Sequence, residues 1–192
     1  MNINIILAGV GGQGILTIAN VLGMAALEQG LYLKQAEVHG MSQRGGDVQS
    51  NLRISSEPIH SDLIPLGGAD LIISMEPMEA LRYLPYLREG GVVVTNTTPF
   101  INIPDYPGEE ALAEAYANLG CRCEQVDADA LAKEAGSPRS ANIVLLGAAA
   151  PFLGMETGLI EDAVAKRFIT KGQAVADANL SAFRLGFAAT TK

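Results

Sequence analysis

The chain has no tryptophan, two cysteines and two histidines in 192 residues. Each scarcity closes off a class of chemistry. Cys121 and Cys123 form a lone Cys-x-Cys pair. An iron–sulfur frame usually takes four thiolates, and a Cys-x-Cys pair at a strand start is not a zinc site, so the two read as reduced structural thiols. His39 and His60 are too few for a histidine-based metal site. Basic residues are also few, 13 against 21 acidic ones, for a formal net charge of −8. That balance argues against a nucleic-acid surface, which needs clustered Lys and Arg. No long apolar run exists: the longest, Ile143 to Met155, is interrupted by Gly147, Pro151 and Gly154. It falls short of the roughly 20 residues that span a bilayer. Residues 2–8 are apolar but lack the positive start of a targeting segment. The expectation is a cytoplasmic protein with no membrane partner.

What is present is a core. Hydrophobic residues make up 48% of the chain, and its length suits one α/β domain spanning 1–192. Ile3–Ala8 reads as a strand buried on both faces. It runs into Gly9-Val-Gly-Gly-Gln-Gly14, and a helical pattern follows to a stop at Gly30. Leu31–Val38 predicts a second strand and Val48–Ser55 a half-exposed third, pairing antiparallel with it. Further strands are expected at Ala69–Ser74, Val92–Asn96 (after Gly90-Gly91) and Cys121–Val126. Helices are expected from Pro77 to about Leu87, where Pro85 must kink or end the run, and over Glu109–Asn118. Asp127 caps another through Lys133. The last third is helical, with runs from about Pro138 to Phe152, from an N-cap at Thr157 to Phe168, and over Gly172–Ala189. The fold class is α/β: a single Rossmann-like three-layer domain with a mostly parallel sheet and a helical C-terminal third.

Two loops carry the chemical interest. Gly9, Gly11 and Gly14 have the spacing G-x-G-x-x-G between a strand and a helix. Gly9 permits a tight turn, Gly11 or Gly12 lets a phosphate approach the backbone, and Gly14 lets the helix pack close to the strand. Free N–H groups and the helix dipole then face an anion. The pattern fits a diphosphate ligand, or simply a tight strand-to-helix turn. A dinucleotide enzyme also wants an acid at the end of the second strand, and Glu37 comes a few residues late for that. The second loop, His39-Gly-Met-Ser-Gln-Arg-Gly-Gly-Asp47, offers Arg44 as a planar fork for carboxylate or phosphate, beside Ser42, Gln43, Gly45 and Gly46. It reads either as a ligand loop or as a hairpin whose Arg44 pairs with an acid. Glu76 either lines a ligand crevice or favours the helix that follows it. Arg139 and Asn142, at the start of the apolar helix, are anion contacts or capping groups.

Three motifs in order, Ile6–Leu16, Glu37–Gly46 and Glu76–Leu81, resemble the gamma subunit of 2-oxoacid:ferredoxin oxidoreductases over nearly the whole chain. The His-Gly-Met-Ser-Gln form of the second motif favours the indolepyruvate branch and its beta subunit. The resemblance implies a share in the oxidative decarboxylation of a 2-oxoacid to an acyl-CoA, with ferredoxin reduced. It implies coenzyme A held partly here. Thiamine diphosphate, Mg2+ and iron–sulfur clusters belong to partner subunits, and ferredoxin is met through the complex. Carried over, Gly11, Gly12, Gln13 and Gly14 cradle the CoA phosphates after the turn at Gly9. Ser42, Arg44, Gly45 and Gly46 face the partner and the thiamine site, with Arg44 the one candidate for a catalytic role. Asn142 and Arg139 lie on the CoA side. Two other classes stay open: a stand-alone NAD- or FAD-binding oxidoreductase, and a purely structural subunit.

Overall fold

The computed structural model describes residues 1–39 and 46–191, the side chain of His39 excepted. Its frame is a six-stranded sheet in the order β2-β3-β1-β4-β5-β6. The strands are β1 (Asn2–Val10), β2 (Tyr32–His39), β3 (Asp47–Ser55), β4 (Ala69–Ser74), β5 (Leu87–Asn96) and β6 (Arg122–Val126). Pairings β1–β4, β4–β5 and β5–β6 are parallel; β3 runs antiparallel to both β1 and β2. The helices are α1 (Ile15–Glu28), α2 (Pro77–Arg82), α3 (Glu109–Ala117), α4 (Ala128–Glu134), α5 (Ala141–Ala149), α6 (Thr157–Ile169) and α7 (Gln173–Thr190).

Alternation along the central strands builds a core on each face. Ile3, Ile5, Leu7, Leu71, Ile73 and Val94 point into the larger core, with α1, α5, α6 and α7. Ile6, Ala8, Ile72 and Val93 point into a smaller one with Ala80 and Tyr83 of the α2 region. All nine residues of α5 are buried, because the helix has the sheet on one side and α7 on the other. Two glycines permit that contact. A Cβ on Gly147 would lie 1.9 Å from the Phe183 carbonyl oxygen, and one on Gly186 would lie 1.9 Å from that of Val144. The helices meet backbone to backbone.

Several elements depart from expectation. β3 is not half-exposed: Ser50, Leu52 and Ile54 are fully buried and Asn51 nearly so. The strand sits inside the sheet, and its polar residues find partners on β2 and in the loop before β4. Ser50 Oγ accepts from Gln35 Nε2 at 3.1 Å, and Asn51 Oδ1 from the Ile64 amide at 3.1 Å. β5 starts at Leu87, so Gly90-Gly91 lies within the strand and forms the bulge that shifts its register against β4. α2 ends at Arg82, and Pro85 falls in a 3-10 turn over Leu84–Tyr86. Thr157 is the first residue of α6 rather than its cap, which is the extended Glu156. Among the described residues no helix is long and apolar enough to cross a membrane.

Candidate functional site

The carboxyl ends of β1, β4 and β5 lie side by side, where open α/β sheets receive ligands. The chain after each of them, with the first turn of α5, surrounds a cleft of about 450 Å³. Gly12 and Gln13 come from the glycine loop, Met75 from the end of β4, and Asn96, Thr98, Pro99 and Phe100 from β5 and beyond. Asp129 of α4 and Arg139, Ala141 and Asn142 close the far side.

The glycine loop is held from three directions. Gln13 folds back, its Oε1 accepting from the Val10 amide at 2.7 Å and its Nε2 donating to the Met75 carbonyl at 3.4 Å. Its own amide donates to the Val10 carbonyl at 3.1 Å, and the Gly11 amide donates to that of Gly46 at 2.9 Å. Asn142 Nδ2 donates to the Gly14 carbonyl at 3.1 Å. Gly14 is left-handed at φ 83 and caps α1; a Cβ there would lie 2.5 Å from that same Nδ2. Gly9 is equally confined: a Cβ on it would lie 2.8 Å from Gln13 Oε1 and 2.9 Å from Ile15 Cδ1. Gly12 differs: it is exposed, at φ +102, with open space where its Cβ would be. Among the described residues no backbone acceptor takes the amides of Gly12, Gly14 or Ile15, which leaves donors at the α1 N-terminus for an anion.

The predicted residues therefore fall into two groups. Gly12 and Arg139 face the cleft with groups to spare: Arg139 is exposed, and among the described residues no carboxylate pairs with it. Gly9, Gly11, Gln13, Gly14 and Asn142 set the loop's shape, Gln13 and Asn142 also lining the cleft. Gly46 anchors Gly11 and so ties the second loop to the first. Ser42, Arg44 and Gly45 lie outside the described residues, as does the side chain of His39. Glu76 is the α2 cap: fully buried, it accepts from the Glu79 amide at 2.9 Å. Its other oxygen accepts from the Phe100 amide at 3.2 Å and from the Tyr106 hydroxyl. Burial and this carboxylate together push the Tyr106 phenol up.

Asn96 and Asp129, a hydrogen-bonded pair in the cleft, are among its residues that were not foreseen. Asn96, at the end of β5, is 3% exposed. Its Nδ2 donates to Asp129 Oδ2 at 2.9 Å and its Oδ1 accepts from the Ala128 amide at 3.1 Å. The available signal was position, since a polar residue at the carboxyl end of a buried parallel strand faces the ligand crevice. Asp129 gave no such signal.

Beside the start of β3 a second polar group forms. The Tyr83 hydroxyl donates to Asp47 Oδ2 at 2.7 Å, and Arg82 Nε pairs with Glu79 Oε2 at 2.8 Å. Burial, then the neighbouring Asp47 charge, raises the Glu79 carboxyl from 4.5 to about 7 against the lowering pull of Arg82. β3 also bears on the dinucleotide reading. It occupies the place between β1 and β2, so Glu37 on β2 is separated by a whole strand from the glycine loop.

Comparison with known proteins agrees with this frame. Residues 4–189 match the family described as pyruvate ferredoxin/flavodoxin oxidoreductase. The chain is 40% identical over 191 residues to indolepyruvate oxidoreductase subunit IorB of Thermococcus kodakarensis, covering 95% of this chain and 93% of that one. Its fold is similar to the gamma subunit of a keto/oxoacid ferredoxin oxidoreductase from Geobacter sulfurreducens, with TM-score 0.71, 24% identity and 98% of each chain covered. It is also similar to part of the 2-oxoglutarate:ferredoxin oxidoreductase of Magnetococcus marinus, solved with 2-oxoglutarate, coenzyme A and succinyl-CoA bound. There the TM-score is 0.79 at 23% identity, covering 98% of this chain and 31% of that one.

Proposed function

The chain belongs to the pyruvate ferredoxin/flavodoxin oxidoreductase family, and from that premise we propose that it is the CoA-positioning subunit of a cytoplasmic 2-oxoacid:ferredoxin oxidoreductase. Indolepyruvate or another aryl pyruvate is the substrate this reading favours, because the 40%-identical relative is an indolepyruvate oxidoreductase subunit. The reaction is oxidative decarboxylation of the 2-oxoacid to an acyl-CoA and CO2. Decarboxylation and electron removal are the chemistry that thiamine diphosphate, with Mg2+, and iron–sulfur clusters supply when bound to a partner subunit. Two cysteines cannot provide the four thiolates of a cluster, and both are pushed up by burial, Cys123 to about 12. This chain's residues do three things instead. Gly12, Gly14 and Ile15 present N–H groups to the CoA phosphates. Arg139 neutralises their charge from the opposite wall. Gln13, Asn142 and Gly46 keep the loop in shape before the ligand arrives, so no ordering cost is paid on binding. Arg44 and its neighbours Ser42 and Gly45 face the partner and the thiamine site.

The observation that carries the proposal is the loop itself: amides and an Arg139 that have no partner among the described residues, and an open Gly12, around one cleft. The NAD or FAD alternative finds no support in these relatives, and β3 blocks the usual ribose acid. A purely structural subunit would tolerate changes in the cleft. The test is CoA-dependent turnover of the assembled complex carrying Gly12→Val, Arg139→Ala or Arg44→Ala. A charge-assisted contact contributes roughly 1.5–3 kcal/mol, so Arg139→Ala should raise KM for CoA by about ten- to a hundredfold. Gly12→Val, left-handed and aimed into the cleft, should do at least as much. Unchanged turnover and CoA dependence in all three variants would reject the reading.

A further inference from the structure

Asp47 of β3 meets Glu79 and Arg82 of α2, and Tyr83 just after it, where β3 begins; none of the four lines the cleft. We propose that this group is a positioning device for the glycine loop: it fixes the first residue of β3, and with it the Gly46 carbonyl that holds the Gly11 amide. The proposal rests on the CoA reading above.

The path from the group to the loop is short. The β2–β3 ladder ends at His39 and Val48, so among the described residues Asp47 pairs with Val10 of β1 alone. Gln13 grips Val10 at both of its backbone groups: the Val10 amide donates to Gln13 Oε1 at 2.7 Å, and the Val10 carbonyl accepts from the Gln13 amide at 3.1 Å. One residue before Asp47, the Gly46 carbonyl accepts from the Gly11 amide at 2.9 Å. A shift at the head of β3 therefore reaches both sides of the turn that presents Gly12. The Tyr83 hydroxyl opposes that shift by donating to Asp47 Oδ2 at 2.7 Å. Its ring is buried in the smaller core with Ile6, Ala8 and Ala80, which makes the hydroxyl a fixed point.

The second acid sets the group apart from a plain tether. Arg82 already pairs with Glu79, and Tyr83 alone would hold Asp47. Glu79 is nevertheless 1% exposed and within hydrogen-bonding reach of Asp47. Two carboxylates so placed repel, and one proton between them replaces the repulsion with a bond. Among the described residues Asp47, Arg82 and Tyr83 are the titratable groups that face Glu79; β1, β4, β5 and α3 also pack on α2 and add none. Tyr83 keeps its proton, because burial and then the bond to Asp47 push its phenol up. Burial raises the Glu79 carboxyl to about 7. The bond to Asp47 is thus present below neutrality and gives way to repulsion above it, so the head of β3 is held best on the acid side.

The experiment uses the assembled complex and reads the KM for CoA and the maximal rate from about pH 6 to about pH 8.5. Asp47→Ala and Tyr83→Phe each open the clasp and should raise the KM for CoA about three- to tenfold. The maximal rate at saturating CoA and the KM for the 2-oxoacid should not change. Asp47→Asn keeps an acceptor for Tyr83 and gains a donor for Glu79, so it should restore the parent value. Glu79→Gln donates to Asp47 at every pH. Phosphate on CoA titrates near about pH 6 for every form alike, so the profiles are compared with one another. Relative to Glu79→Gln, the parent KM should climb about three- to tenfold from the acid to the alkaline end. Unchanged constants in Asp47→Ala and Tyr83→Phe, or parallel profiles for the parent and Glu79→Gln, would overturn the proposal. A lost maximal rate or lost co-purification in Asp47→Asn and Glu79→Gln would also overturn it, by making the group a structural tie. Arg139→Ala separates the two proposals. If it leaves the KM for CoA unaltered, the CoA reading itself fails; if it raises that constant while Asp47→Ala and Tyr83→Phe are silent, only the positioning role fails.

Discussion

Replacing Gly14 with alanine strains the glycine loop in two separable ways. Its backbone is left-handed at φ 83, which costs an L-residue about 1–2 kcal/mol. The new Cβ would also lie 2.5 Å from Asn142 Nδ2, an overpacking contact of about 1–3 kcal/mol. Together these predict a loss of about 3 kcal/mol, or a fall in Tm on the order of 10 °C for a domain of this size. Asn142→Ala alone removes the 3.1 Å bond to the Gly14 carbonyl, at a cost of about 1 kcal/mol. In the double variant the clash disappears and the backbone strain remains. The pair should therefore be less damaging than the sum of the singles, with a coupling of about 1–3 kcal/mol. Urea unfolding of the four purified forms measures it. Additivity within about 0.5 kcal/mol would refute the claim that the Asn142 amide packs directly against Gly14.

Gly147→Ala should destabilise by about 1–3 kcal/mol through the α5–α7 contact, although helix propensity alone would favour alanine by about 1 kcal/mol; thermal unfolding gives the sign. Glu79 keeps its proton to about pH 7 in the folded chain and to about 4.5 when unfolded. Its contribution is therefore full below the lower value and lost as pH rises through the higher one. Glu79→Gln should flatten unfolding free energy over that window, and an unaltered slope would contradict the burial of this carboxyl. Cys123, held up to about 12 by burial, should resist a thiol reagent at pH 8 in the folded chain and react on unfolding; rapid labelling of the native chain at this residue would contradict it.

The glycine loop was legible because its chemistry is local: a strand, three spaced glycines and a helix lie within about 25 residues of one another. The fold class followed from alternating strand and helix signals. β3 was not legible in full, because the Val48, Ser50, Leu52, Ile54 alternation looks the same on an edge as in a sheet interior, and the partners of Ser50 and Asn51, Gln35 and Ile64, are brought to them only by the fold. Asn96 and Asp129 are 33 positions apart and meet because β5 and β6 pair, which periodicity does not reveal. Gly147 read only as a break in the longest apolar run, and its use, like that of Gly186, appears only when the helices are packed against each other. Gln13 and Asn142 belonged to the expected site, but as braces of the loop, since their amides are already engaged there.

Co-expression of this chain with a thiamine-diphosphate-binding partner subunit, followed by viologen reduction with several 2-oxoacids with and without CoA, tests the central claim most directly. Reduction that requires both chains and CoA, and is strongest with an aryl pyruvate, is the predicted result. No complex and no activity, with NAD bound by this chain alone, would contradict it.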